Sequence, residues 1–339
     1  MKDDILKKIK EITHAEKITL LGKGVYGEAY LIEKEGKKLV LKTMAEGEYG
    51  HDHYSDIAQV LLWQNDAFNR FPKHVKSFNV LAVDEEGNEI KEIGKCKKYY
   101  ILMEYAKGEN YFTDLDRILK EGVQEKDKER PIILSDFLAK AHSSKIENKS
   151  LYKRKIRDTV GHGECIMGVL DAFPKQEFFT DEEQGKFVQL CVKQWAKMRG
   201  MERRLACVHG DFHPGNIMFH GNDFILLDRS RGEYGEPADD LTAFTINYVF
   251  YSFLKYGKTK GEFWELNKLF WDNYVEKTKD SEIWKAAPLF YAFRALVVAN
   301  PLFYTNEWYK ERTKFEPTEL RGKIIKWAGG LLKKGEFNL

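Results

Sequence analysis

Three polar side chains in the second half of the chain could bind a divalent metal ion beside a reacting hydroxyl. Asp211 and Asn216 lie in the segment VHGDFHPGNIMF at 208–219, and Asp228 ends the apolar run FILLD. Turn-forming residues at 221–223 separate two apolar runs, which predicts a two-strand ribbon with polar groups on or beside its ends. Carboxylate and amide oxygens suit Mg²⁺, and a carboxylate can also accept a proton. The pattern therefore indicates metal-assisted phosphoryl chemistry at a hydroxyl group.

A glycine-rich segment near the start of the chain could cover phosphate groups. Gly22, Gly24 and Gly27 form a G-x-G-x-x-G between two apolar runs. Strand-forming residues and a turn at Glu35-Gly36 follow, whereas the dinucleotide-binding version of this motif requires a helix. Glycines allow backbone N–H groups to approach phosphate oxygens closely. The segment predicts a hairpin lid over nucleotide phosphates, and the alternative is an ordinary hairpin turn.

The next apolar run, a predicted third strand, ends in Lys42. An ammonium group at the end of a buried strand needs an anionic partner, which nucleotide phosphates provide. A protein carboxylate should also pair with this lysine, but the helical pattern that follows, 52–71, contains no glutamate. Asp56 is the first candidate, and Glu46 and Glu48, before the helix, are the others.

An apolar strand that runs into a glycine could bind a nucleotide base through its backbone. Further strands are predicted at 75–84, 88–93 and 98–104. The last of them continues into MEYAKG, which is typical of a hinge between two lobes. An adenine ring needs apolar walls and exposed backbone C=O and N–H groups, which the end of a strand provides. We assign the adenine contacts to the backbone of Glu104 and Ala106 and the rear wall to Met103; the alternative is a core strand without a ligand.

The composition limits the classes of protein to which the chain can belong. Its 339 residues suffice for two lobes, each with its own core. A net charge of +2 with 32% charged residues shows no basic excess, so we expect no nucleic-acid partner. The four cysteines are widely spaced, which argues against a zinc site or a disulfide framework and favours a cytoplasmic location. The charged start lacks the apolar core of a signal peptide.

Beyond residue 108 the pattern becomes helical and aromatic. Two apolar stretches, 241–254 and 286–304, raise the question of membrane spans. The first is too short and the second carries Arg294 near its middle, so we predict buried helices and no membrane association. His142 is predicted to be a structural residue beneath the loop that carries Asp211. Asp240 should cap a helix or hold that loop by hydrogen bonds to its backbone.

Together these segments resemble the aminoglycoside phosphotransferase and choline kinase superfamily, the small-molecule branch of the protein-kinase-like fold. The most specific part is HGDFHPGNI at 209–217, which is similar to the family signature H-G-D-x-H-x-x-N-I, and the resemblance extends over about 20–241. It implies an α+β, bilobal fold with an N-terminal antiparallel β-sheet lobe, containing one main helix, and a larger, mostly helical C-terminal lobe. We expect a nucleotide-binding lobe at 1–104 and a catalytic, acceptor-binding lobe at 105–339.

The resemblance also implies roles for individual residues. Asp211 would be the catalytic base, Asn216 and Asp228 would bind Mg²⁺, and Lys42 would contact the α- and β-phosphates of ATP or GTP beneath the glycine lid. The acceptor would be a small hydroxylated molecule such as an aminoglycoside-like sugar, an amino alcohol or another metabolite. The chain departs from the family pattern in the missing helix glutamate and in Arg229-Ser230-Arg231, which replaces the usual apolar or small residues.

Spacing argues against a protein substrate. Only eleven residues separate Asp228 from Asp240 and no A-P-E follows, which leaves no room for an activation loop and a peptide-docking segment. The identity of the acceptor stays open, and Glu233, Glu236 and the GHGE island at 161–164 are candidate contacts, the last of which could instead be a simple helix break. The alternative function is a catalytically weak, nucleotide-binding pseudokinase with a regulatory or scaffold role, supported by the missing glutamate.

Overall fold

The computed structural model describes residues 3–24, 27–45, 54–84 and 96–339. These residues belong to two compact units. The first unit consists of Met1–Gly108 and Met218–Gly232, and the second of Glu109–Ile217 and Glu233–Leu339. The functional division expected between residues 104 and 105 stays a prediction, and the strand predicted at 88–93 lies outside the described residues.

The first unit contains an antiparallel sheet with two helices. Its elements are α1 (Asp3–Thr13), β1 (Lys17–Gly24), β2 (Gly27–Lys34), β3 (Lys37–Thr43), α2 (Tyr54–Arg70), β4 (Ser77–Asp84) and β5 (Cys96–Glu104). The strand order is β1-β2-β3-β5-β4, and every neighbouring pair is antiparallel. The predicted antiparallel N-terminal sheet is therefore confirmed.

Each face of this sheet carries an apolar cluster, and β5 contributes to both because alternate residues of a strand point to opposite sides. On β5, Ile101 and Met103 pack against the apolar face of α2, whereas Tyr100 belongs to the cluster that contains Ile9 of α1. The α2 residues in the first cluster recur at helical spacing: Ile57, Ala58, Leu61 and Phe68.

The remaining strands are short: β6 (Glu109–Asn110), β7 (Ala206–Cys207), β8 (Ile217–His220), β9 (Asp223–Leu226) and β10 (Tyr234–Gly235). β8 and β9 are hydrogen-bonded neighbours, which confirms the predicted ribbon. In the second unit, β7 pairs with β10 in antiparallel register.

The second unit is otherwise helical. Its helices are α3 (Tyr111–Glu121), α4 (Glu125–His142), α5 (Lys149–Gly161), α6 (Ile166–Asp171), α7 (Asp181–Met198), α8 (Pro237–Tyr256), α9 (Glu262–Thr278), α10 (Ile283–Ala299), α11 (Asn306–Lys310) and α12 (Pro317–Lys334). The two long apolar stretches fall largely in α8 and α10, which are buried over almost their whole length. Within the described ranges, no helix has both the length and the apolar character needed to cross a bilayer.

The GHGE island lies at the break between two helices of the second unit. α5 ends at Gly161, and α6 begins at Ile166. A Cβ atom at Gly168 would lie only 1.6 Å from the carbonyl oxygen of Gly163, so the start of α6 packs directly on the island's backbone. The predicted helix break is confirmed, and the tight packing gives a structural reason for the glycine at 168.

Candidate active site

Asp211 lies in a loop of the second unit, 208–216, which we call the Asp211 loop. Gly210 has φ +84°, a left-handed conformation that would strain a residue with a side chain. The N–H of Asp211 donates to Nδ1 of His209 at 3.2 Å, and the N–H of His213 donates to the carbonyl oxygen of Asp211 at 2.9 Å. These short-range contacts hold the backbone on both sides of Asp211.

Asp240, in the first turn of α8, anchors the same loop from below. Its two carboxylate oxygens accept the backbone N–H groups of His209 and Gly210, each at 2.7 Å. Nε2 of His142 lies 3.1 Å from Oδ2 of Asp240, and Nδ1 of His142 lies 2.8 Å from the hydroxyl of Tyr274. Burial alone would raise the pKa of the Asp240 carboxyl, but the hydrogen bond and charge of His142 and the backbone donors lower that pKa below its usual value. The structural role predicted for His142 and the backbone contacts predicted for Asp240 are both confirmed.

The carboxylate of Asp211 is held by Arg294 of α10. Nη1 of Arg294 donates to Oδ1 of Asp211 at 2.7 Å, and Nη2 donates to Oδ1 of Asp239 at 2.6 Å and to the carbonyl oxygen of Gly210 at 3.4 Å. The Arg294 side chain is only 7% exposed. His213 lies on the other side of the carboxylate, with Nε2 at 3.7 Å from Oδ2 of Asp211.

Sequence reasoning missed this role of Arg294 and used the residue only as a charge that argues against a membrane span. A signal was present, because a buried arginine in an apolar helix needs carboxylate partners. The spacing along the chain, however, does not say which carboxylates these are.

Asn216 is placed by the same loop. Its side chain is buried, and Nδ2 donates to the carbonyl oxygen of Asp211 at 3.0 Å. Because the amide nitrogen is used in this way, the amide oxygen is the atom of Asn216 suited to a metal ion.

In the first unit, Lys42 at the end of β3 forms an ion pair with Asp228. Nζ of Lys42 lies 2.6 Å from Oδ2 of Asp228. The other carboxylate oxygen, Oδ1, is buried and has no hydrogen-bond partner within the described ranges. Asp228 also has φ +59°, an uncommon conformation for a residue other than glycine. A strained aspartate with a buried, uncommitted oxygen is a feature of functional sites more than of ordinary turns.

Arg229 explains one departure of the sequence from the family pattern. Its side chain is fully buried in the first unit, where Nη1 donates to the carbonyl oxygen of Ala67 at 2.7 Å. The guanidinium also lies over the ring of Phe71, 4.3 Å from its centroid. The arginine therefore fills the place expected for an apolar residue and fastens the segment after Asp228 to the end of α2.

The glycine motif forms the predicted hairpin. β1 ends at Gly24 and β2 begins at Gly27, and these two residues are paired in the register; residues 25 and 26 lie outside the described residues. A Cβ atom at Gly27 would lie 2.1 Å from the carbonyl oxygen of Thr43, whereas one at Gly22 would meet nothing within 4 Å. The hairpin backbone thus touches β3 directly beside Lys42.

The predicted base-binding strand is β5. Met103 is 6% exposed and pairs with Val40 of β3, and its role as the rear wall of a base pocket stays a prediction. The N–H of Glu104 is already committed to the carbonyl oxygen of Lys76 at 3.0 Å. Ala106 lies beyond the strand and packs on the same cluster as Met103. Other partly buried residues that pack there include Val40, Ile225 and Leu227, for which no role was predicted from the sequence.

The carboxylates suggested as partners or acceptor contacts have mixed outcomes. Asp56 lies in the first turn of α2, and its pairing with Lys42 stays a prediction, while Glu46 and Glu48 lie outside the described residues. Glu236 is 1% exposed, and Nε and Nη2 of Arg204 donate to its carboxylate at 2.7 to 3.0 Å. Glu236 is therefore a buried partner of Arg204 inside the second unit and not an exposed acceptor contact.

Comparison with solved structures shows a protein-kinase-like fold. Amicoumacin kinase hAmiN, solved with AMP-PNP, Ca²⁺ and Ami, aligns with a TM-score of 0.56 and 13% identity over 98% of this chain and 94% of that one. A thermostable mutant of aminoglycoside phosphotransferase APH(4)-Ia, in ternary complex with AMP-PNP and hygromycin B, gives 0.53 and 13% over 97% and 96%. ADP-bound APH(2'')-Ib gives 0.50 and 13% over 96% and 99%.

Sequence comparison identifies the family. No curated protein matches the chain. The sequence profile of the phosphotransferase enzyme family APH matches residues 17–254, a span that holds the glycine hairpin, Lys42, the Asp211 loop and Asp228. The chain therefore belongs to the APH phosphotransferase enzyme family.

Proposed function

We propose that this protein transfers the γ-phosphate of ATP or GTP to a hydroxyl group of a small molecule, with Asp211 as the base. The observation that carries the proposal is the Asp211 loop, in which the carboxylate is held by Arg294 and the backbone by Asp240. A base held in this way can orient one acceptor hydroxyl for attack.

In the proposed reaction, the acceptor oxygen forms a bond to the γ-phosphorus as the bond between that phosphorus and its bridging oxygen breaks. The proton of the acceptor hydroxyl passes to the Asp211 carboxylate, and the nucleoside diphosphate leaves. The protein contributes mainly by positioning the reactants and by stabilising charge.

Mg²⁺ is the proposed metal, and the donor atoms fit it. Asp228 offers a buried carboxylate oxygen without a hydrogen-bond partner within the described ranges, and Asn216 offers its amide oxygen. Such hard oxygen donors are those that Mg²⁺ selects. When bound, the ion would neutralise charge on the nucleotide phosphates.

The nucleotide is assigned to the first unit. Lys42 would exchange part of its contact with Asp228 for the α- and β-phosphates, beneath the hairpin of Gly22, Gly24 and Gly27. The base would contact the backbone of Glu104 and Ala106 against Met103. Because the N–H of Glu104 is committed to Lys76, its carbonyl oxygen is the group we assign to the base. The acceptor class follows the solved relatives, which bind hygromycin B or Ami, and the short segment after Asp228 does not fit a protein substrate.

The test is ADP release by the purified protein with ATP, Mg²⁺ and a panel of sugars, amino alcohols and aminoglycosides. We expect at least one acceptor to stimulate turnover, and Asp211→Asn to lower kcat by roughly 10²–10⁴-fold. Asp223→Asn is the matched control, because Asp223 lies in the neighbouring ribbon with its side chain 74% exposed and should leave kcat unchanged. The proposal fails if no acceptor stimulates turnover and Asp211→Asn behaves like the parent.

The pseudokinase alternative rests on the absence of a helix glutamate and on the direct pairing of Lys42 with Asp228. Nucleotide binding measured with and without Mg²⁺ distinguishes the two functions. Binding that is strengthened by Mg²⁺ and accompanied by turnover supports the kinase, whereas metal-independent binding without turnover supports the pseudokinase.

A further inference from the structure

Arg294 joins three parts of the second unit that are far apart in the sequence. From α10 it reaches the Asp211 carboxylate and the Gly210 carbonyl in the Asp211 loop, and the Asp239 carboxylate in the first turn of α8. The two terminal nitrogens go to different carboxylates, at 2.7 Å and 2.6 Å. Arg294 is therefore a bridge between segments, unlike a guanidinium that forms both bonds with one carboxylate.

The apolar surroundings of Arg294 raise the free-energy cost of burying its charge. Its neighbours on α10 are mostly buried and apolar, and the arginine itself is 7% exposed. A buried guanidinium is stabilising only when its partners have good geometry, and an apolar side chain of similar size is often equally stable at such a position. Stability alone therefore does not account for an arginine here, whereas the need to hold the Asp211 carboxylate does.

We infer that Arg294 is a positioning residue for phosphoryl transfer, which fixes the rotamer of Asp211 so that the acceptor hydroxyl is oriented for attack. The inference rests on the proposed function, in which Asp211 is the base. Because Arg294 acts through Asp211, its removal should lower kcat while the KM for ATP changes little. A displacement of a reacting group by about 1 Å can cost on the order of 10²-fold in rate.

The experiment uses the full-length protein with ATP, Mg²⁺ and the panel acceptor that gives the highest turnover, or water as the acceptor if none stimulates. The variants are Arg294→Met and Arg294→Lys, each also combined with Asp211→Asn. Arg321→Met is the matched control, because Arg321 is 1% exposed in the same unit and donates to the carbonyl oxygens of Ala299 and Tyr304, not to the Asp211 loop.

We expect Arg294→Met to lower kcat by roughly 10–100-fold with the KM for ATP within about threefold of the parent. Arg294→Lys should recover part of kcat, since the ammonium group keeps the positive charge but lacks the planar fork of donors with which Arg294 spans its partners. In the Asp211→Asn background, Arg294→Met should have little further effect on kcat, because the group it positions is already disabled. Thermal unfolding of all variants shows which of them remain folded.

Several outcomes would overturn the inference. Arg294→Met could retain parental kcat, or lose the same factor in the Asp211→Asn background as in the parent, or lose no more than Arg321→Met at a similar unfolding temperature. A parent that turns over no acceptor and no water removes the proposed function and this inference with it. A parent that is active, dependent on Asp211 and insensitive to Arg294 removes this inference alone.

Discussion

Replacing Asp240 by asparagine tests whether the anchor beneath the Asp211 loop is as strong as its geometry indicates. The fully buried carboxylate accepts two backbone N–H groups at 2.7 Å and faces His142 at 3.1 Å. An asparagine of the same shape has one oxygen, so at least one buried N–H loses its acceptor, which costs about 1–3 kcal/mol. The remaining bonds lose their charge assistance, at about 1 kcal/mol each. We expect Asp240→Asn to lower the free energy of unfolding by about 2–5 kcal/mol.

The pH dependence of this loss has a definite sign. The pKa of Asp240 is lowered in the folded protein, so the carboxylate adds stability above its unfolded pKa, about 3.9, and loses it as the pH falls through the folded value. Urea unfolding of parent and variant should therefore give a constant difference between pH 5 and pH 7. That difference should shrink below about pH 4.

Asp272→Asn is the control for this experiment. Asp272 is 53% exposed in the same unit and pairs with Lys268, so its replacement should cost less than about 0.5 kcal/mol. A loss below about 1 kcal/mol for Asp240→Asn at pH 7, or a difference that grows in acid, would refute the reasoning about the anchor.

Two further predictions concern the glycine hairpin and the buried ion pair. Gly27→Ala should weaken ATP binding at least about tenfold or lower the unfolding temperature, because its Cβ would meet the carbonyl oxygen of Thr43 at 2.1 Å. Gly22→Ala is the control and should leave the unfolding temperature unchanged, because its Cβ would meet nothing within 4 Å. Calorimetry and nucleotide titration compare the two variants, and equal behaviour would contradict the hairpin geometry. Glu236→Gln should destabilise the protein by about 3–5 kcal/mol in urea unfolding, because Arg204 keeps a buried charge without its main partner; a cost below about 1 kcal/mol would show that Asp280 suffices for Arg204.

The parts of the site that were predictable from sequence are those fixed by spacing along a short segment. The five-residue separation of Asp211 and Asn216 places them on one loop, and the structure adds a hydrogen bond from the Asn216 side chain to the Asp211 carbonyl oxygen. The hairpin between Gly24 and Gly27 could be anticipated for the same reason, since turn chemistry is local. Periodicity likewise predicted β5 and the helix α2, because burial imposes a regular apolar pattern.

The contacts that could not be predicted join residues distant in the chain. Arg294 reaches Asp211 across 83 positions, and Arg229 reaches Ala67 across 162. In each case a buried arginine signals that partners exist, but only the tertiary packing selects them. The counter-ion of Lys42 illustrates the same limit, because Asp228 is distant from Lys42 in the sequence and only the fold brings it to within 2.6 Å of the ammonium group.

The anchoring of Arg229 has a consequence for how this protein can diverge. The arginine donates a hydrogen bond to the backbone of Ala67, so this bond does not depend on the side chain at position 67. Position 67 is fully buried, so the space there limits only the size of its side chain. Position 71 is different, because the cation requires an aromatic face and Phe71 supplies it. Among homologues that keep an arginine directly after the aspartate at 228, positions 71 and 229 should therefore covary, with an aromatic residue at 71 wherever 229 is arginine. Homologues without an aromatic residue at 71 should therefore carry an apolar residue, not arginine, at 229.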